Sequence, residues 1–379
     1  MLLLLSAMAA QAASLVGFAE LPADTFTAGP TSGQFIIAVN GRKPPFVNQQ
    51  PVQGFSALLE GGNGEFLVLS DNGFGKRNNS SDYILSIYVV KPEFRTVNGG
   101  SGIIHINQII RLSDPERYLP YSIVREQDRL LTGADLDPES FQRDTDGSLW
   151  IGEELNPALL HFSATGELLA PPFMLEGLFS VDNPLGEPAT LPRSRGFEAM
   201  SRSADGAKLY PMLEAALLDA EAGLNIYTFD IKTRQFENAS ASEPTYRYRL
   251  DDDATAIGDF TLYSETTGLV IERDSRQGSV AVVKKVYRVD FEQVDEDGFL
   301  HKTLVADLMN IDDPHDLNQD GQKSFTFPFW TIEGLVVIDQ TTLAIVNDNN
   351  YPFGQARESR AGEPDNTELI LLAVAPLWE

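Results

Sequence analysis

The strongest constraint on this chain is a repeat within it. Five segments share one layout: a polar or acidic residue at the start of an apolar run, a turn, a second apolar run, and an acidic residue at its end. They lead from Gln53-Gly54-Phe55-Ser56 to Ser70-Asp71-Asn72, from Asp137-Pro138-Glu139-Ser140 to Gly152-Glu153-Glu154, and from Arg195-Gly196-Phe197-Glu198 to Leu213-Glu214. The fourth leads from Ile257-Gly258-Asp259-Phe260 to Ile271-Glu272-Arg273, and the fifth from Ile332-Glu333-Gly334 to Asn347-Asp348-Asn349. With Ser56, Glu139, Glu198, Asp259 and Glu333 as openings and Asp71, Glu153, Glu214, Glu272 and Asp348 as closings, the spacing stays between 13 and 16 residues. Turn chemistry sits in the middle of each, as in Gly61-Gly62-Asn63-Gly64 or Ala204-Asp205-Gly206. Strand, tight turn and strand make an antiparallel hairpin, so both polar positions fall at the same end of it.

Two further β-rich runs follow each hairpin, for example residues 224–229 and 246–250, and the openings recur every 59 to 83 residues. Four-stranded units repeated on this scale predict an all-β propeller. Five blades are expected, with six as the alternative if the long first interval hides a divergent one. The last unit is one strand short, and residues 16–26 are expected to supply the missing strand and close the ring. Only residues 211–222 could be helical, and residues 209–214 fit a strand better. Residues 14–379 thus form one propeller domain. Residues 1–13, MLLLLSAMAAQAA, read as a signal peptide with a small-residue cleavage site, which predicts export to the periplasm or the extracellular space.

The 28 basic and 55 acidic residues leave a formal charge of −27, so neither a nucleic acid nor an anionic membrane is an expected partner. No run is long enough for a membrane-spanning helix. Without a cysteine the chain has no thiol nucleophile, disulfide or cysteine-held zinc. A monomer is the favoured state.

Acids at the start of every inner strand and the end of its neighbour would gather at one mouth of a propeller channel. The expected cation ligands there are Asp71, Asn72, Asp137, Glu139, Glu153, Glu154, Glu198, Glu214, Glu272, Glu333 and Asp348. Asp259 and Asp274 belong to the same group. So many like charges raise one another's pKa values unless a cation compensates. Oxygen ligands in irregular geometry suit Ca2+. The alternative is that these acids accept backbone hydrogen bonds and tie blades together. Asp316, Asn318 and Asp320 match part of an EF-hand-type loop, without its closing Glu, and form a second candidate calcium site. Lys76, Arg77, Arg195 and Arg273, with Arg193, are the basic groups nearest the acids and the candidates for holding an anionic ester. No nucleophile elbow, Walker or dinucleotide motif occurs, so hydrolysis here would be metal-assisted.

Gln53-Gly54-Phe55-Ser56, Ser70-Asp71-Asn72-Gly73-Phe74-Gly75, Arg195-Gly196-Phe197-Glu198-Ala199-Met200, Ile332-Glu333-Gly334-Leu335 and Asn347-Asp348-Asn349-Asn350 together resemble the phytase-like family, also described as "esterase-like activity of phytase". The resemblance spans roughly residues 18–375. It implies a propeller with phosphoester or carboxyester hydrolase activity, and points to Asp71, Asn72, Glu198, Glu333 and Asp348; Asp71, Glu198 and Glu333 are the expected catalytic acids. The leading expectation is an exported, calcium-dependent hydrolase of small phosphate esters. A non-catalytic calcium-stabilised scaffold and a lactonase-like carboxyester hydrolase are the alternatives.

Overall fold

The computed structural model describes residues 13–220 and 222–378, and within them the regular elements are β-strands apart from two short 3-10 turns, Gly278–Val280 and Glu358–Arg360. The expected signal segment lies outside the described residues, except for Ala13.

Five strand groups follow one another along the chain, each ordered outward from its first strand. Sheet I comprises Phe55–Gly62, Glu65–Ser70, Ser86–Glu93 and Ile103–Arg111; sheet II comprises Pro138–Arg143, Leu149–Glu153, Ala158–Phe162 and Phe173–Met174. Sheet III begins with Ala199–Arg202 and Lys208–Met212 and continues through Leu224–Ile226 to Tyr246–Tyr248. Sheet IV contains Ala256–Leu262, Thr267–Arg273, Lys284–Val294 and Leu300–Asp307. Sheet V contains Thr331–Asp339, Thr342–Asp348 and Thr367–Ala373, and its outermost strand is the N-terminal Ser14–Leu21, antiparallel to Thr367–Ala373. A single parallel bridge, Glu20 to Ile103, joins the outer edges of sheets V and I. The described residues of 211–222 form no helix: Lys208–Met212 is a strand, followed by turns and bends.

The first strands of the five groups neighbour one another in a closed cycle, I to II to III to IV to V and back to I. Each boundary in that cycle has its own apolar core. Leu69 and Ile87 meet Phe141 and Ile151 between sheets I and II; Trp150 and Leu159 meet Met200 and Leu209 between II and III. Met212 and Ile226 meet Phe260 and Val270 between III and IV, Ile271 and Val286 meet Leu343 and Ile345 between IV and V, and Val346 and Leu369 meet Phe55 and Val68 between V and I. Sheets covered on both faces explain why strands such as Leu149–Glu153 and Ala158–Phe162 are buried throughout instead of alternating.

Candidate metal centre at the channel mouth

Four of the five hairpins carry a β-bulge at the same point. The register shifts between Phe55 and Ala57, Pro138 and Ser140, Ile257 and Asp259, and Ile332 and Gly334. The bulged residues are therefore Ser56, Glu139, Gly258 and Glu333. Glu198 is their counterpart in sheet III, since its N–H donates to the Gly196 carbonyl at 3.0 Å as that of Ser56 does to the Gly54 carbonyl at 3.0 Å. A bulge re-aims its side chain. On the facing strands, Asp71, Glu154, Arg273 and Asp348 each follow the residue that pairs just before the bulge, namely Ser70, Glu153, Glu272 and Asn347. Glu214 is their counterpart in sheet III, its N–H donating to the Gly196 carbonyl at 3.1 Å as that of Asp71 does to the Gly54 carbonyl at 2.9 Å.

Two rings of side chains thus face the same space. Glu139, Glu198 and Glu333 from the first ring and Asp71, Glu154, Glu214, Arg273 and Asp348 from the second line one cavity of about 620 Å3, together with Asp137, Lys76, Arg195 and the aromatic rings of Phe74, Trp330 and Phe353. Of these aromatics only Phe74 falls in a motif singled out from the sequence, although each lies within five residues of a ring acid.

Partners divide the acids into two sets. The Arg273 guanidinium reaches Glu214 at 2.8 Å, Glu333 at 3.1 Å and Glu198 at 3.3 Å, and Arg195 also pairs with Glu214. On the other side, carboxylate oxygens of Asp137, Glu139 and Glu154 lie within 4.8 Å of one another. Asp137 is held by Asn72, whose N–H and side-chain amide donate to its two oxygens at 3.1 and 2.7 Å. Glu154 is only 3% exposed, and its Oε1 has no hydrogen-bond partner. Oxygens this close fall inside the ~4.8 Å that two Ca2+–O bonds of about 2.4 Å can span. Asp137, Glu139 and Glu154 therefore fit a hard divalent cation.

Burial is the main reason these acids resist ionisation. It raises Glu139, with Asp137 and Glu198 adding repulsion, and raises Glu154, with Glu198 and Glu214 adding theirs. Burial also raises Asp71, helped by Asp348 and Asp137, and brings Asp348 to about 6. Glu198 and Glu333 rise by burial too, opposed by Arg273.

Several expected ligands lie elsewhere. Glu153 points away from Glu154, and its oxygens accept the N–H groups of Asp137, Leu155 and Asn156 at 3.1, 3.0 and 2.6 Å. Glu272 accepts the Tyr248 hydroxyl at 2.5 Å and pairs with Lys302, outside the cavity. Asp274 accepts Val282 and Val283 N–H groups and pairs with buried Lys284 at 3.1 Å. Asp259 takes the Leu335 N–H at 2.7 Å and lines a different cavity. These four staple strands instead, as alternate residues on a strand must when their neighbours face the channel. Asn72 is at the mouth, but its side-chain oxygen accepts the Gly75 N–H at 2.7 Å, so it positions Asp137 rather than offering a free ligand. Asp316, Asn318 and Asp320 form an exposed turn whose hydrogen bonds close on itself, Asn318 to Asp320 at 2.9 Å and Gly321 N–H to Asp316 at 3.0 Å. Arg77 donates to the Ala134 carbonyl at 2.9 Å and lines, with Lys76, Arg193 and Arg195, a second cavity beside the mouth.

The Bacillus subtilis arabinanase Arb43A overlaps the chain at a TM-score of 0.43 and 11% identity, covering 86% of this chain and 95% of its own. A putative 6-phosphogluconolactonase from Bacteroides uniformis overlaps at 0.36 and 12%, covering 87% and 76%, and the Dos1 propeller at 0.34 and 11%, covering 84% and 67%. Likenesses this distant carry no chemistry with them. No curated protein matches the chain. A family model described as "Phytase-like: Esterase-like activity of phytase" matches residues 50–351, a span containing every residue of both rings, and the chain belongs to that family.

Proposed function

We propose that the chain is an exported, calcium-dependent hydrolase of small phosphate esters acting at this mouth, on a five-bladed propeller closed by its N-terminal strand. The observation that carries the reading is the Asp137, Glu139 and Glu154 cluster, which no ion pair reaches among the described residues and in which the buried Oε1 of Glu154 lacks a hydrogen-bond partner, set beside basic groups. Family membership supports hydrolysis of esters, and a cation on this cluster would supply charge to an ester oxygen and acidify a water. Lys76, exposed and without a protein partner among the described residues, is placed with Arg195 to receive an anionic group. Asp71 has no arginine clamp and is partly exposed, so it is the best-placed carboxylate to take a proton from water; Glu198 and Glu333 are held by Arg273.

Phosphate monoesters and lactones, each assayed with calcium and with chelator, test this. Phosphate turnover that chelation abolishes is the expected result. Turnover of lactones alone would favour the carboxyester reading. No turnover on either, with chelation lowering the melting temperature, would favour the scaffold reading, which the three-way Arg273 clamp also supports. Amino-terminal sequencing of secreted protein, expected to begin near Ala13, tests export.

A further inference from the structure

The geometry points to a mouth that takes one divalent cation, on Asp137, Glu139 and Glu154, while Arg273 serves as a built-in second cation that closes the rest of the cluster. This rests on the reading of the mouth as a cation site and adds its stoichiometry. Two sets of carboxylates satisfy the distance requirement: Asp137 with Glu139 and Glu154, and Glu154 with Glu198 and Glu214. They differ in what already faces them. Glu198 and Glu214 share the Arg273 guanidinium, and Glu214 also has Arg195. A divalent ion placed among them would meet a fixed positive charge at the same carboxylates. Among the described residues no ion pair reaches Asp137 or Glu139, and the buried Oε1 of Glu154 has no hydrogen-bond partner.

Sheet IV explains the asymmetry. At its bulge it has Gly258, where an added Cβ would lie 1.9 Å from the Ile332 carbonyl oxygen, so no side chain can enter there. On the facing strand it has Arg273, where every other sheet places an acid. One sheet in five therefore withdraws a ligand and supplies a charge. All three carboxylates meet the guanidinium at one nitrogen, Nη2, so a single buried group ties oxygens of sheets III and V together.

Calcium titration of chelator-stripped protein by calorimetry reads the stoichiometry directly. One ion per chain is expected, with Glu139→Gln abolishing the binding and Glu333→Gln leaving one ion. Arg273→Gln removes the guanidinium that Glu198 and Glu214 share, leaving Arg195 on Glu214, and should raise the count from one to two. Two ions in the native protein, or a folded Arg273→Gln chain that still takes one, overturns the inference while leaving the cation site standing. Absence of any binding overturns both. Should Arg273→Gln fail to fold, the glutamate pair decides: loss of the ion in Glu333→Gln with retention in Glu139→Gln overturns the assignment.

Discussion

Sheets II and IV offer the same two positions to the channel and fill them in opposite ways. Sheet II places Glu139 on its bulge and Glu154 opposite; sheet IV places Gly258 and Arg273. The first brings carboxylates without an ion-pair partner among the described residues, the second a donor that satisfies three carboxylates of its neighbours. One backbone frame thus builds an unsatisfied half and a satisfied half of the same mouth. The difference teaches that charge at a propeller mouth is partitioned by blade, and each half can be disturbed separately.

The largest effect should come from the satisfied half. Arg273→Ala leaves Glu198, Glu214 and Glu333 buried without their common partner, and breaking a buried pair in this way costs about 3–5 kcal/mol. Urea unfolding at pH 7.5 measures it. A loss below about 1 kcal/mol would mean that the three carboxylates rearrange freely, and the contrast between the halves would fail.

Gly258→Ala comes next. Its Cβ would meet a backbone oxygen, which cannot swing aside as a side chain can, so sheets IV and V must part. Overpacking of this kind costs about 1–3 kcal/mol. If a folded Gly258→Ala chain unfolds at the native urea midpoint, then sheet IV lacks a ring acid for some reason other than space.

Gly258 also shows how far the site was legible beforehand. The repeat, the hairpins and the gathering of acids at one end followed from spacing and turn residues. Register did not. Choosing acids as markers paired Asp259 with Glu272 and Glu139 with Glu153, one residue off the channel at three positions. Read from the bulges, the pairs are Ser56 with Asp71, Glu139 with Glu154, Glu198 with Glu214, Gly258 with Arg273 and Glu333 with Asp348, at separations of 15, 15, 16, 15 and 15 residues. A one-residue slip turns a side chain to the opposite face of a strand. Ser56, Glu139 and Glu333 carry no mark of a bulge in residue type, and although an isolated glycine in a strand run such as Gly258 is one, the glycine and the arginine of sheet IV were hidden behind the aspartate and the glutamate beside them.

The unsatisfied half should reveal itself through pH. Glu139, Glu154 and Asp71 have folded pKa values raised by burial and neighbouring charge, and Asp348 sits at about 6. A carboxyl raised on folding holds its proton in the native chain after the unfolded chain has lost it. Its contribution is therefore complete below the ordinary carboxyl range and disappears as pH rises through the folded value. Chelator-treated protein should accordingly melt at a lower temperature at pH 8 than at pH 5, by calorimetry. Saturating calcium should offset the fall, and Glu154→Gln should flatten it without calcium. A melting temperature that rises with pH in chelator would mean that the acids of sheet II are compensated by the protein itself.

The smallest effect belongs to the turn that most resembles a calcium loop in sequence. Asp320 accepts the Gln322 N–H at 2.7 Å and the Asn318 amide at 2.9 Å, and both its neighbours and its own side chain are open to water. Its oxygens are occupied by the turn, whereas Glu154 Oε1 at the mouth has no hydrogen-bond donor among the described residues. Asp320→Ala should therefore change stability by no more than about 0.5 kcal/mol, the usual range for an exposed position, and should leave the calorimetric calcium count as it is in the native chain. Loss of a calcium ion on this substitution would move the cation site from the mouth to the loop, because an exposed turn with filled oxygens would then be outcompeting a buried carboxylate with an empty one.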